Sequence, residues 1–430
     1  MRRTISLLPA ALLFLAASLP AAAQKFLPKS IQFKGDPEYS DQELLAAAGL
    51  KKGAVLTSAE MNDHSKQLMD TGVFDTLTFK FDGQDLVYSL VPSTTMFPIR
   101  LENLPLAPGK ELDAALHERF PLYHGKVPAD GGLTDGVRKA FEQMLAAKGI
   151  EAAVTAMPSA ALGSKKAAAM SFSIATPSVR VGALQLQGVS PALQAKIKPV
   201  ADRATGTPFD TMNSQINLEH AFASFYADEG YAAVKVHAQR SGEPVAAAQA
   251  IDVPFTVTIE EGRLYKLGSI HLPPDAPLTQ ADIEKALGPH PDGLVKGPTL
   301  RGAWMLISSR YKAKGYLDCA VTPHPEFDDA SGTVNYTVSV ETGSVYHLAF
   351  AKFENVSDEL RSHLMRVWQM LPGDTFDQSY VEGFLFRAQK EDPVLQRSLA
   401  GGKAAFEVRA DPNTHEVNCV LHFTKAQPAP

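Results

Sequence analysis

ADEGYAAVKV (Ala227–Val236) and AKGYLDCAV (Ala313–Val321) share one order of residues: a charged side chain, Gly-Tyr, then a run of small and branched residues. Their glycines lie 315 − 230 = 85 positions apart, long for a solenoid repeat and right for a small domain. The pattern recurs upstream as DTGVFDTL around Gly72 and AKGIEAAV around Gly149, with spacings of 149 − 72 = 77 and 230 − 149 = 81. Such regularity reads as tandem copies of one unit. One further period lands on QKEDPVLQ near Asp392, where the glycine is missing.

Each copy reads in the same order. A short strand comes first, as in SIQFKG, GALQLQGV, LGSIHL and LAFAKFENV. Two helices follow; Thr57-Ser58-Ala59-Glu60 has the form of a capping box, and Thr207-Pro208 and Gly297-Pro298 place proline at a first helical position. In the third copy Met212, Ile216, Phe222, Phe225 and Tyr226 recur at helical spacing as one apolar face. The motif glycine then stops the second helix in a left-handed turn. A strand is expected directly after it, with Val234 and Val236 aligned to Cys319 and Val321 on one face and Lys235 and His237 on the other. A closing strand alternates cleanly: Ile251, Val253, Phe255, Val257, Ile259 before Gly262, and Val334, Tyr336, Val338, Val340 before Gly343. These closing glycines are 343 − 262 = 81 apart, an independent measure of the period. Pro254 cannot donate to a ladder, so pairing is expected to begin near Phe255.

The predicted fold class is therefore α+β, in tandem β-α-α-β-β domains with two helices over one sheet face. The divisions read from the sequence are a signal peptide at 1–23, then copies at 26–92, 97–176, 178–262, 263–343 and 344–425. Pro105, Pro108, Pro121 and Pro128 loosen the second copy. The fifth is carried by its hairpin, KAAFEVRADPNTHEVNCVLHF, with Val417, Cys419, Leu421 and Phe423 on one side.

The chain opens with Arg2 and Arg3, a short apolar run between Pro9 and Pro20, and Ala21-Ala22-Ala23. That order is a secretory signal, with cleavage expected before Gln24. Its removal leaves 39 basic and 47 acidic residues, 41 − 2 = 39 and a net of −8. No basic run marks a nucleic-acid or anionic-lipid surface. Two cysteines among 430 residues are too few for a disulfide framework.

The β-α-α-β-β order, the glycine before an aromatic or branched strand start, and the Glu-x-Gly end together resemble the POTRA domain, the polypeptide-transport-associated module. The resemblance spans residues 26 to 425. It implies a periplasmic location; since no G-x-S-x-G, P-loop or lone reactive Cys with a plausible base occurs, no catalysis and no cofactor are expected. It also implies partners among unfolded outer-membrane or secreted polypeptides, or an outer-membrane assembly barrel. Only seven residues follow Phe423, while each crossing of a barrel takes roughly 9–11 residues, so a barrel is expected to belong to another chain. The alternatives are a structural periplasmic scaffold with no unfolded client, or a division-type protein in which Met1–Ala23 is kept as an anchor.

In the family fold the strand after the motif glycine lies at a sheet edge, where an extended client can add a strand. The stretches this implies are Val73–Phe79, Tyr231–His237 and Tyr316–Thr322. Within them the candidate contacts are Val73, Phe74, Tyr231, Val234, Lys235, His237, Tyr316, Leu317 and Thr322, and Gly72, Gly149, Gly230 and Gly315 are structural. An aromatic just after a helix-stop glycine more often packs over its own domain, which is the expectation for Tyr231 and Tyr316, and Lys235 and His237 can equally guard the edge. Cys319 and Cys419 are expected to be separate core thiols. Twelve histidines include no HExxH and no pair at a ligand spacing, and no CxxC occurs, so no metal is expected; His290 and His324, each between prolines, read as surface loops. Acidic pairs such as Glu260-Glu261 and Asp328-Asp329 read as solvated strand ends and turns.

Overall fold

The strand that closes each repeat is the middle strand of its sheet. This is seen in a computed structural model that describes residues 24–35, 38–161, 164, 166–247, 249–288, 293–294, 296–400 and 403–424. The expected signal peptide and His290 lie outside the described residues.

The first block contains β1 (Lys25–Phe26), β2 (Ser30–Lys34), α1 (Asp41–Ala48), β3 (Leu56–Thr57), α2 (Ser58–Asp70), β4 (Phe74–Phe81) and β5 (Asp85–Pro92). The second contains β6 (Met96–Leu101), α3 (Lys110–Arg119), β7 (Lys126–Pro128), α4 (Gly132–Ala146), β8 (Ala153–Ala160) and β9 (Ala167–Thr176). The third contains β10 (Ser178–Gln187), α5 (Pro191–Ala204), α6 (Ser214–Asp228), β11 (Lys235–Arg240), β12 (Val245–Ala246) and β13 (Ala250–Glu260). The fourth contains β14 (Lys266–His271), α7 (Gln280–Leu287), α8 (Gly297–Lys312), β15 (Ala320–Asp328) and β16 (Thr333–Glu341). The fifth contains β17 (His347–Glu354), α9 (Asp358–Val367), α10 (Gln378–Glu382), α11 (Phe384–Glu391), α12 (Pro393–Ser398), β18 (Lys403–Asp411) and β19 (Glu416–Thr424).

The sheet orders are β2-β5-β4, β7-β6-β9-β8, β10-β13-β11, β14-β16-β15 and β17-β19-β18, with β12 also on β13. In the first, second, fourth and fifth blocks the opening strand runs parallel to the closing one and the post-glycine strand antiparallel to it. A parallel pair needs a long crossover, which the two helices supply. The closing strands bury one face each: Leu86, Tyr88 and Leu90; Val334, Tyr336 and Val338; Val417, Cys419, Leu421 and Phe423. In the fifth block Phe353 stacks on Phe384 at 5.6 Å and meets Trp368 edge-on, each large ring contributing about 1.5–3 kcal/mol by burial.

The chain divides into two compact units. One holds residues up to Gln185 with Arg203–Ile216 and Gln239–Phe255; the other holds Leu186–Asp202, Asn217–Ala238 and the residues from Thr256 on.

Several local expectations hold. Thr57 and Glu60 form the capping box, Ser40 with Glu43 and Thr279 with Asp282 form two more, and Pro298 sits in the first turn of α8. Others are corrected. Pro208 lies outside α6, which begins at Ser214 after a turn in which the Asp210 carboxylate accepts from the Met212 and Asn213 amides. The buried stripe of α6 is Leu218, Phe222 and Tyr226, whereas Met212 and Ile216 are about half exposed, 56 % and 48 %. The strand does not start at the motif glycine in the third and fourth blocks. Tyr231–Val234 and Tyr316–Cys319 make one more turn, closed by Val234 N–H to the Tyr231 carbonyl (3.3 Å) and Cys319 N–H to the Tyr316 carbonyl (3.2 Å), so the strands begin at Lys235 and Ala320. Pairing of β13 reaches back to Ala250, because Pro254 loses only its donor and its carbonyl still accepts from the Ser241 amide (2.9 Å). In the fifth block the missing glycine is replaced by Asp392-Pro393. The Asp392 carboxylate caps α12 through the Val394 and Leu395 amides, inserting an extra short helix where the other blocks turn at once.

The motif glycines have a second task. Gly72, at φ 79°, would place a Cβ 2.2 Å from the Asp130 carbonyl oxygen of the second block; Gly315, at φ 87°, would place one 2.7 Å from Thr375 Cγ2 of the fifth. Leu133 N–H donates to the Thr71 carbonyl (3.1 Å), and Tyr346 N–H to the Gly315 carbonyl (2.9 Å). Helix stop and block junction thus coincide. Gly72→Ala should weaken hydrogen-exchange protection of α2 and α4 together, whereas Gly53→Ala, at φ 79° with nothing within 4 Å, should cost only the left-handed strain of about 1–2 kcal/mol and leave α4 unchanged.

Candidate functional site

The post-glycine strands β4, β8, β11, β15 and β18 each end their sheet. The opposite edges are partly covered by the segment between the two helices. In the second block β7 pairs with β6; in the third, fourth and fifth, single bridges join Arg180 to Pro208, Lys266 to Leu294 and His347 to Thr375. In these four blocks open backbone is therefore concentrated on the side of the post-glycine strand, where unpaired N–H and C=O groups can template another strand.

The five edges are not equally open. On β8, Pro158 removes one donor, and the Val154 amide is taken by Glu142 Oε1 at 3.0 Å, a carboxylate held by Arg138 at 2.8 Å. On β11 the Ala238 amide is taken by Glu219 Oε1 at 3.0 Å, and His237 Nδ1 lies 3.2 Å from the same carboxylate. On β15, Pro323 and Pro325 sit opposite Val338 and Tyr336 of the central strand, and a proline in a sheet faces its missing N–H to solvent. Strands β4 and β18 carry neither proline nor, among the described residues, a side chain bonded to an outer amide. Phe406 on β18 is 38 % exposed.

The predicted contact residues fall into distinct environments. Val73 and Phe74 are buried, and the Val73 amide and carbonyl are already taken by Thr71 Oγ1 (3.3 Å) and the Ser93 amide (2.8 Å), so Val73 offers a client nothing; Lys235, His237 and Thr322 are exposed. Tyr231 packs edge-on against Tyr226 at 5.7 Å, and Tyr316 against Tyr311 at 6.2 Å. The motif tyrosine thus folds back on the last turn of its own helix. Val234 and Leu317 are half-buried in the turns before the strands. Lys235 makes a 3.4 Å pair with Glu260. Tyr316 also lines a cleft of about 670 Å³ with Asp275, Tyr311, Thr342, Thr375 and Asp377. Gly149 and Gly230 take φ of 74° and 99° as the helix stop requires.

Two acidic residues read as solvated are structural. Glu261 Oε1 accepts from the Tyr226 hydroxyl and the Ser190 amide, both at 2.8 Å, and Asp329 accepts from the Tyr265 hydroxyl at 2.5 Å. His324 bonds Ser339 Oγ across β15 and β16. A cluster that local spacing does not reveal joins the first two blocks: Glu43 on α1 lies 2.9 Å from His124 Nε2 and 3.6 Å from His117 Nε2. Its carboxylate comes from 117 − 43 = 74 residues away, a distance no motif bridges.

Cys319 and Cys419 are both free, Cys419 fully buried. Burial pushes the Cys419 thiol up to about 11, so at pH 8 almost no thiolate forms. In the native chain Cys419 should resist alkylation while Cys319 reacts faster, and a thiol count after denaturation should give two; a count of zero would mean they are oxidised.

Residues 29–92 match the family model "POTRA: Surface antigen variable number repeat". Solved structures similar to the chain include the third to fifth POTRA domains of BamA from Haemophilus influenzae, at 17 % identity over 58 % of this chain and 98 % of that one, TM-score 0.39. The N-terminal domain of Omp85 from Thermosynechococcus elongatus matches at 18 % identity over 59 % and 99 %, TM-score 0.20. CdiB from Escherichia coli matches at 13 % identity over 55 % and 36 %, TM-score 0.18.

Proposed function

We propose that this chain, a tandem-POTRA protein, is a non-enzymatic periplasmic binder of extended polypeptides, outer-membrane or secreted, which it receives by strand addition on β4 and β18. The observation that carries this reading is the unequal guarding of five equivalent edges. Proline or a helix carboxylate closes the edges of the second, third and fourth blocks, and the first and fifth are left open. Main-chain pairing supplies affinity with little sequence preference, which suits a handler of many clients. The same edges can dock a strand from an outer-membrane assembly barrel. On this reading we take the domains as 26–92, 97–176, 178–262, 263–343 and 344–425, after a signal peptide at 1–23.

A second reading, a periplasmic scaffold without a client, draws on the close block junctions at Gly72 and Gly315. Peptide binding separates the two. Leu77 pairs with Leu90, and Phe406 with Leu421, as Pro323 pairs with Val338, so the fold already accommodates proline at this ladder position. A labelled peptide of alternating apolar residues, titrated by fluorescence anisotropy into the chain lacking 1–23, should bind. Leu77→Pro/Phe406→Pro should weaken binding about fivefold, each edge losing a main-chain hydrogen bond of about 1 kcal/mol, with unchanged circular dichroism. Absence of binding to the unsubstituted chain, or unchanged affinity in the folded double variant, would leave the scaffold.

A further inference from the structure

We propose that Glu43, His117 and His124 bind a zinc ion that clips α1 of the first block to α3 and the loop after it in the second. One oxygen atom and two imidazole nitrogens converge there, all within 4.8 Å of one another. Glu43 Oε1 is 2.9 Å from His124 Nε2 and 3.6 Å from His117 Nε2. A tetrahedral ion with bonds of about 2.0–2.1 Å has ligand-to-ligand edges of roughly 3.3 Å, so the two contacts to Glu43 need to move only a few tenths of an ångström, and the two histidine nitrogens, within 4.8 Å, draw together.

The groups behind the ligands are arranged as metal ligands require. His117 Nδ1 lies 2.9 Å from the Tyr123 carbonyl oxygen; a carbonyl only accepts, so Nδ1 carries the hydrogen. In the neutral ring Nε2 is then a bare lone pair facing a carboxylate oxygen, two acceptors that repel unless a cation lies between them. A backbone carbonyl behind the second ring nitrogen is the usual support of a metal-bound histidine. Glu43 is oriented from the other side. Its Oε2 accepts from the Ser40 amide and hydroxyl, both at 2.7 Å, in the capping box of α1, which leaves Oε1 for the histidines. The Tyr39 ring lies against His124 at a centroid distance of 4.9 Å.

Two imidazoles and one carboxylate suit zinc among divalent ions. A cleft of about 380 Å³ lined by Asp113, Ala114, His117, Tyr123, His124 and Gly125 opens beside the rings, with room for a water as fourth ligand. Because the ligands come from two blocks, the ion would fix the angle between them.

The test uses the full chain from Gln24, stripped with a chelator and titrated calorimetrically with zinc sulfate, and separately with cobalt(II) to read the visible ligand-field bands of a four-coordinate N/O site. The expected result is a single tight zinc per chain, weakened at least about 100-fold by His117→Ala or His124→Ala. Glu43→Gln, which keeps a capping-box acceptor, should weaken zinc with circular dichroism unchanged. If the unsubstituted chain takes up no zinc, the proposal fails. It fails equally if His117→Ala/His124→Ala binds with the same affinity and stoichiometry, which would place the metal on other histidines.

Discussion

The central position of each closing strand is the constraint on which the rest depends. A middle strand must have its backbone paired on both sides and its inward face buried. Leu86, Tyr88 and Leu90 in the first block, and Val417, Cys419 and Leu421 in the fifth, meet both demands at once. With that strand in the middle, the opening strand and the post-glycine strand become the two edges. The segment between the helices covers the first of these in four blocks, so the post-glycine strand inherits the exposed side.

An exposed edge is an aggregation hazard as well as a binding surface. Three blocks suppress it by different means. Prolines 323 and 325 remove donors from β15, while Glu142 and Glu219, each one helix turn or more from its helix end, reach over to occupy an amide of β8 and β11. Such devices are placed strand by strand, which explains how one repeated fold can carry different surfaces.

Much of this was legible in the residues. Alternation marked the closing strands, and the glycine period marked the repeats; even the Pro298 start and the Thr57 cap were where the spacing put them. The misreadings have physical causes. Pro208 resembled a helix start, yet Asp210 captured the next amides and delayed the helix to Ser214. Tyr231 and Tyr316 resembled strand residues, yet each ring packs back on its helix, and the chain spends a further turn before pairing begins.

The sequence by itself determined which segments could be strands and helices and where the chain had to reverse, because periodicity and the left-handed requirement of Gly72, Gly149, Gly230 and Gly315 are local properties. Only the tertiary structure decided that the last strand of each repeat lies in the middle, which edges Glu142 and Glu219 close, that Gly72 and Gly315 also seat the next block, and that Glu43 meets His117 and His124. Each of these depends on residues brought together across 12 to 81 positions, and a distance through space leaves no period in the chain.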